Sequence, residues 1–282
     1  MAVLVGSLLT NPTVFAEPEA EPYTNAQIMN IENRGHEIAD YDRVATVATD
    51  VLLGMKPNPE QLGLYVAEKV NDVWMVSFGK YSDFNGFMPT YIFSCPSDKP
   101  NEMKLLTYEE VEKILDDYPS EVPEFTAAID TAVEATKPDM TFPTYNPSVF
   151  RELDQTITVY LLPGNDDTQT ILLGGDFKIK LTSNGKKVIN KEKLHASYIR
   201  FPVERPKDAV MSLHTHPLSD LPNETDIAMI LLHPVLAPHA IVGNWYTSTI
   251  DKDGKIQVKK EEQSRNSRIS KQHKDDPGKD IR

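Results

Sequence analysis

The second half of the sequence is divided into short β-rich segments, and this pattern constrains the fold more than any other feature. After about residue 145 the segments read TITVYLLPG, TILLGGDFKIKLTS, KKVINK, DAVMSLHTHP, HAIVGNWYTSTI and KIQVKK. SNG at 183–185 and KDG at 252–254 predict hairpin turns, because Asn-Gly and Asp-Gly pairs accept the positive φ that tight turns require. One helix is expected between DAVMSLHTHP and HAIVGNWYTSTI. This half therefore predicts a sheet with at least one helix packed on it.

The first half has a different pattern, with helical spacing and one hairpin. The segment from NAQIM to VLLGM predicts one or two helices that end near Gly54. LGLYVAEKVNDVWMVSFGKYS predicts a hairpin that turns at Asn71-Asp72, with Trp74, Val76 and Phe78 on one face.

Two further helices are predicted before a proline-rich boundary. TYEEVEKILDD begins with the spacing of a capping box, Thr107 to Glu110, and a second helix is expected from about Glu124. Prolines 138, 143 and 147 then favour an extended or loop segment. We therefore place a domain boundary near residue 145, which gives a smaller α+β domain at 23–145 and a mixed α/β domain at 146–258.

The two ends of the chain have compositions of their own. An apolar run from Ala2 to Leu9 and the small-residue site at 14–16 predict a signal peptide at 1–16, followed by an acidic linker at 17–22. The run is too short to span a bilayer. Export to the periplasm or medium is favoured, although no positive residue precedes the run, so a buried strand in a cytoplasmic protein is the alternative. The charged segment 259–282 is predicted to be disordered.

Charge and cysteine content exclude several classes of function. The net charge is -13, and no stripe of Lys and Arg precedes the charged tail, which argues against a nucleic-acid partner. The single cysteine, Cys95, cannot form an intramolecular disulfide or a cysteine-rich zinc site. Its context, FSCPSD, contains no base, so we interpret it as a small core residue rather than a nucleophile.

The segment VMSLHTHPLSDLPNETDI carries the strongest functional signal. His214 and His216 are two positions apart, so they point to the same face if the strand runs through both. Pro217 ends the strand. Asn223 is expected to cap the next helix, which places Asp226 in its first turn, facing the strand end. Two imidazoles and one carboxylate with one open position are a donor set typical of catalytic zinc.

Spacing distinguishes between known patterns that contain H-x-H. A cupin requires a glutamate three or four residues after the second histidine, where this sequence has Ser219 and Asp220. The polymerase-and-histidinol-phosphatase phosphoesterases also contain HxH followed by Ser-Asp, but they build a barrel after the motif. Only 66 residues follow His216. SLHTHP and TDIAMILL instead resemble the JAMM (MPN) metalloprotease signature, over roughly residues 155–258.

The resemblance implies a JAMM-like, cytidine-deaminase-like fold with one zinc ion on His214, His216 and Asp226. It also implies hydrolysis of peptide or isopeptide bonds in a peptide or protein substrate. Asp226 follows His216 by ten residues, one fewer than in the family, and Asn223 or Glu224 takes the place of the family's serine. The family's upstream glutamate, its general base, corresponds here to Asp167 in DTQTILLG. A non-catalytic binding or scaffold protein with a degenerate fold is the alternative.

Other histidines and a glycine pair have simpler interpretations. His239 could lie near the site, but a turn histidine bonded to backbone is the preferred interpretation. His195 could line the same cleft, but a structural role is the preferred interpretation. His233 is expected at a helix C-terminus, and His36 lacks the second histidine of an HExxH helix. Gly174-Gly175 fits a tight strand or bulge better than a phosphate-binding loop.

Overall fold

A computed structural model describes residues 23–82, 86–117, 120–217 and 219–261. Within these ranges the protein is mixed α+β, with four α-helices and fourteen strands in four sheets. The predicted signal peptide at 1–16 and the linker at 17–22 lie outside the described residues, as does the predicted tail from residue 262 onward. None of the helices in the described ranges is both long enough and apolar enough to cross a bilayer.

The first half contains one long helix and an antiparallel sheet. The helix, α1, is unbroken and ends at Gly54 as predicted, and Thr24 forms a capping box with Gln27 at its start. The predicted hairpin is confirmed, and its turn places Asn71 at φ 56°. The bounds are α1 Asn25–Gly54, β1 Leu64–Val70, β2 Val73–Ser82, β3 Gly86–Pro96 and β4 Lys104–Leu105, with sheet order β1-β2-β3-β4.

Two helices follow this sheet. The helix α2 spans Tyr108–Asp117, and the predicted capping box is confirmed: the Thr107 N–H donates to Glu110 Oε2 (2.8 Å), and the Glu110 N–H donates to Thr107 Oγ1 (3.3 Å). The helix α3 spans Val122–Thr136 and so begins two residues before the predicted Glu124.

The second sheet is antiparallel and begins with a strand that the sequence pattern did not predict. Its strands are β5 Tyr145–Arg151, β6 Ile157–Pro163, β8 Phe177–Leu181 and β9 Val188–Lys193, in the order β5-β6-β8-β9. Pro147 lies within β5, which is tolerated because β5 is an edge strand and pairs only with β6.

The segment TILLGGDFKIKLTS forms two strands in two sheets instead of one strand. The first, β7, spans Thr170–Gly174 and pairs with β10, Tyr198–Pro202. Gly174 and Gly175 both have positive φ, 85° and 78°, and the chain leaves β7 at this point to enter β8. The glycine pair therefore lies where the chain passes from one sheet to another, which differs from the tight strand or bulge expected from the sequence.

The fourth sheet contains the HTHP segment. Its elements are β11 Ser212–Thr215, α4 Glu224–Leu232, β12 His239–Val242, β13 Tyr246–Ile250 and β14 Ile256–Lys260. Strands β11 and β12 are parallel and joined through α4, whereas the other pairs are antiparallel, in the order β11-β12-β13-β14. Lys259 and Lys260 lie in β14, so regular structure extends into the first residues of the predicted tail.

The main hydrophobic core contains residues from both sides of the predicted boundary near residue 145. Trp74 and Phe93 from the first sheet belong to the same buried cluster as Ile157 and Phe177 from the second. A separate cluster surrounds α4 and the fourth sheet. The division into domains at 23–145 and 146–258 stays a sequence-based prediction, and the packing is continuous across it.

Helix α1 also packs closely on α4. A Cβ atom on Gly35 would lie 2.4 Å from Ile227 Cβ and 2.9 Å from the Glu224 carbonyl oxygen, so only glycine permits this approach. Nearby, the buried Glu32 carboxylate accepts hydrogen bonds from the Ile256 N–H (2.8 Å) and from Lys255 Nζ (2.9 Å). The first half of the chain thus fixes the position of the helix that follows HTHP.

We expect Gly35→Ala to destabilise the protein by about 1–3 kcal/mol, because the added methyl group overpacks the α1–α4 contact. Gly54→Ala is the matched control: no atom lies within 4 Å of its added Cβ. We expect Gly54→Ala to be neutral or to stabilise by up to about 1 kcal/mol, the helix preference of Ala over Gly. Urea unfolding of both variants measures the difference, and equal stabilities would show that the contact is not tight.

Candidate metal centre

Strand β11 brings His214 and His216 to one buried side. His214 and His216 are 3% and 4% exposed, whereas Leu213, which directly precedes His214 in β11, is 54% exposed. His216 lies just past the strand, but its N–H donates to the Val242 carbonyl oxygen at 3.0 Å and continues the ladder to β12. The predicted two-residue alternation is therefore confirmed, and both imidazoles reach the same site.

Helix α4 supplies a carboxylate to this site. Asn223 is the N-cap of α4, as predicted, and Asp226 lies in its first turn. Asp226 Oδ2 accepts a hydrogen bond from the Asn223 N–H at 2.7 Å, and the side chain is completely buried. The helix N-terminus favours a negative charge here.

A third histidine, His195, completes the group. It lies in the loop between β9 and β10, and the side-chain amide of Asn223 donates to the Leu194 carbonyl oxygen at 3.0 Å, which ties this loop to the start of α4. A Cβ on Gly174 would lie 2.5 Å from the Ser197 carbonyl oxygen and 3.2 Å from His195 Cβ, so glycine lets the loop approach. The sequence favoured a structural interpretation of His195 and left open that it lines the same cleft; in the structure it lies in the buried group with His214, His216 and Asp226.

Ligand atoms of His195, His214, His216 and Asp226 all lie within 4.8 Å of one another, and all four residues are buried. Asp226 Oδ1 is 3.0 Å from His195 Nε2 and 3.5 Å from His214 Nε2. Asp226 Oδ2 is 3.4 Å from His216 Nε2. The group could therefore hold a metal ion, with three Nε2 atoms and one carboxylate as donors.

The outer nitrogens of two rings are fixed by hydrogen bonds. His216 Nδ1 is 2.8 Å from the Leu221 carbonyl oxygen, which only accepts, so Nδ1 carries the proton and Nε2 carries a lone pair. His195 Nδ1 is 2.6 Å from Asp176 Oδ1, which also accepts, so Nδ1 of His195 carries a proton too. When both rings are neutral, the two Nε2 lone pairs face each other at 3.1 Å. A cation between them, a proton or a metal ion, relieves this repulsion.

His214 supplies the atom that most directly indicates a ligand. Its Nδ1 is 2.7 Å from Nε2 of a further buried histidine, His239. Its Nε2 is buried and makes no hydrogen bond within the described part of the chain. An unpartnered buried polar atom costs free energy, and metal coordination removes that cost. The residues present therefore fit a metal ion.

The electrostatics of the group also favour a cation. Burial alone would raise the pKa of Asp226, but the charge and hydrogen bond of His195 outweigh it and hold the pKa well below its usual range. Burial opposes the charge on His195, but Asp176 and Asp226 raise its pKa to about 11. Burial lowers the pKa of His214 to about 3 and that of His239 to about 4. A proton on His195 offsets one of two buried carboxylates, whereas a divalent ion offsets both.

A cavity of about 100 Å³ lies against the three histidines. Its lining includes Pro217 and Ser219 of the loop after β11, and Ile199 of β10. At about 30 Å³ per molecule, this space holds a few waters or a small chemical group. The candidate metal ligands are therefore buried but have space for a small molecule beside them.

Asp167 does not belong to this group. It lies in the turn before β7, and its carboxylate accepts hydrogen bonds from the Gln169 N–H (2.9 Å) and Thr170 Oγ1 (2.8 Å). These bonds hold the pKa of Asp167 below its usual range. It lines a different cavity, of about 440 Å³, together with His233.

Two further histidines and the cysteine do not belong to this group of candidate metal ligands. His233 caps the C-terminus of α4, as predicted, although burial lowers its pKa and so disfavours the expected cation. His36 lies in α1 with its Nε2 3.2 Å from the Asp253 carbonyl oxygen. Cys95 is buried in the main core, as predicted.

Asp176 was not anticipated from the sequence, although a signal for it exists. It stands between two apolar strand segments in ILLGGDFKI, a position where a charged residue is costly to bury. In the structure it is buried and bound to His195. A buried carboxylate that holds the outer nitrogen of a histidine is a common second partner of metal ligands.

Comparisons of the chain with models of known protein families, with curated protein sequences and with solved structures find no match.

We expect Asp226→Asn to abolish metal binding, because it removes the charged donor of the group. Asp167→Asn makes the same chemical change outside the group and is expected to keep about one metal ion per chain, as in the wild type. Elemental analysis of the purified proteins after incubation with zinc measures both. The double variant His214→Ala/His216→Ala should also lose the ion, and retention of metal in it would place the ion elsewhere.

Proposed function

We propose that this chain is a zinc-dependent hydrolase of peptide or isopeptide bonds. The observation that carries the proposal is the convergence of three buried Nε2 atoms and the Asp226 carboxylate beside a small cavity. Imidazole and carboxylate ligands are the kinds that catalytic zinc uses, and the adjoining cavity leaves space for a reactant. The proposal extends to a JAMM-like fold for residues 146–258, supported by HxH at a strand end and an aspartate that opens the next helix.

Zinc is the proposed ion because of the chemistry of the donors. Imidazole suits zinc, copper, iron and nickel, whereas calcium and magnesium prefer oxygen ligands only. The group offers three imidazoles and one carboxylate, and it contains no thiolate. This set matches the nitrogen and oxygen ligands of hydrolytic zinc sites more closely than the cysteine-rich sets of structural zinc.

Amide bonds are the proposed target because SLHTHP and TDIAMILL resemble the JAMM signature. The cavity of about 100 Å³ admits the scissile group and a few neighbouring atoms, so the rest of a substrate would lie on the surface. A bound zinc ion supplies Lewis-acid polarisation of the carbonyl and acidifies a water molecule. A compact cavity also limits the access of bulk water.

The chain's own groups orient the donors. Asp176 directs the lone pair of His195 inward, and the Leu221 carbonyl does the same for His216. Asp226 is held by the backbone N–H of Asn223. The general-base role expected of Asp167 is not part of this proposal, because its carboxylate is engaged in its own turn.

We expect zinc-loaded wild type to cleave members of a peptide library, and His214→Ala to lose at least about 100-fold in kcat/KM, a loss of a kind typical for a catalytic group. His233→Ala is the matched control, since His233 lies outside the metal-binding group. Mass spectrometry of the library, with and without a chelator, measures cleavage. Equal cleavage by both variants would contradict the proposal.

A non-catalytic, metal-stabilised binding protein is the second candidate, and one observation favours it. With His195 included, four protein donors converge, and four donors complete the tetrahedral shell of a structural zinc site. Cobalt substitution distinguishes the two candidates through the visible spectrum. A tetrahedral spectrum unchanged by small anions, together with no cleavage by the loaded protein, would establish the second candidate instead of the first.

A further inference from the structure

A fourth buried histidine, His239, lies behind His214 on the neighbouring strand. In the parallel register of β11 and β12, Ser212 pairs with His239 and His214 pairs with Ile241. His239 is completely buried, and none of its atoms belongs to the metal-binding group. Its ring contacts Ser212 on one side and His214 on the other.

The directions of the hydrogen bonds around His239 follow from one carbonyl group. Ser212 Oγ is 2.6 Å from the Leu236 carbonyl oxygen, which can only accept, so the Ser212 hydroxyl donates its single proton there. Ser212 Oγ must then accept from His239 Nδ1, at 2.5 Å. The proton of the neutral His239 ring is thereby fixed on Nδ1.

The tautomer of His239 also determines the tautomer of His214. Because His239 Nε2 has no proton, it accepts from His214 Nδ1–H at 2.7 Å. The neutral His214 ring then carries its lone pair on Nε2, the buried atom that has no hydrogen-bond partner within the described residues. The opposite tautomer would place a proton on Nε2 and block coordination.

We propose that Ser212 and His239 are positioning residues, which hold His214 in the tautomer and ring orientation that a metal ion requires. This inference rests on the metal centre of the proposed function and adds two residues to it. His195 and His216 have their Nδ1 atoms held directly by a carboxylate and a carbonyl. His214 is held instead through a chain of two side chains that ends on the Leu236 carbonyl.

The first test is zinc affinity, measured by competition with a chromophoric chelator for the full chain. His239→Leu removes the acceptor for His214 Nδ1–H, and we expect affinity to fall about 10–100-fold, the usual effect of losing such a partner. His239→Gln restores an acceptor through its amide oxygen and should recover most of that loss. Ser212→Ala should weaken binding as well, and His233→Leu should leave affinity unchanged.

The second test reads the tautomers in the wild type and needs no variant. Long-range ¹H–¹⁵N correlation spectra of the zinc-loaded chain, labelled at histidine, distinguish protonated, bare and metal-bound ring nitrogens. We expect a proton on Nδ1 of both His214 and His239, a metal-bound Nε2 on His214 and a bare Nε2 on His239. A proton on His239 Nε2 would overturn the inference.

The outcomes separate this inference from the proposed function. Wild type that binds no zinc would contradict the metal centre and the inference together. Wild type that binds zinc, with folded His239→Leu and Ser212→Ala variants of equal affinity, would contradict the positioning role alone. Weak binding by both His239→Leu and His239→Gln, with normal binding by Ser212→Ala, would show a packing role for His239 and also overturn the inference.

Discussion

Complete burial of the Asp226 carboxylate is the constraint on which the rest of the site depends. An isolated buried carboxylate is too costly to keep ionised, so the structure must supply positive or hydrogen-bonding partners around it. The start of α4 supplies the Asn223 N–H, and three imidazoles surround the two oxygens. The lone pairs on the inner nitrogens of neutral imidazoles repel one another and the carboxylate unless a cation lies between them. The buried charge of Asp226 therefore makes the whole group a candidate site for a cation.

The fold brings these groups together through one parallel connection. The carboxyl end of β11 and the N-terminus of α4 face the same side because β11 and β12 are parallel and joined by the helix. Ligands in open α/β sheets commonly bind at such strand ends. The second and third sheets contribute Asp176 and the loop with His195, so the site lies where separately formed sheets meet.

Local rules predicted the residues that lie close together in sequence. Strand alternation was sufficient for His214 and His216, and helix capping was sufficient for Asp226. His195 and Asp176 reach the site only through the sheet order and through Gly174, and neither is a local property of the sequence. The same reason applies to strand β5: its prolines left extended and loop structure equally open, and only its edge position makes Pro147 acceptable in a strand. The expectation for Asp167 rested only on the resemblance to the JAMM signature, and in the structure hydrogen bonds within its own turn hold its carboxylate.

The close approach of α1 to α4 at Gly35 makes the N-terminal helix part of the site's support. Helix α1 also contributes to the main core, so it joins the first sheet to the half of the chain that contains the candidate metal ligands. Any free energy gained when an ion binds is therefore shared with α1, since ligand binding stabilises every element that must fold with the site. A chain cut near residue 145 would lose this support, and the histidines would no longer be held by a complete scaffold.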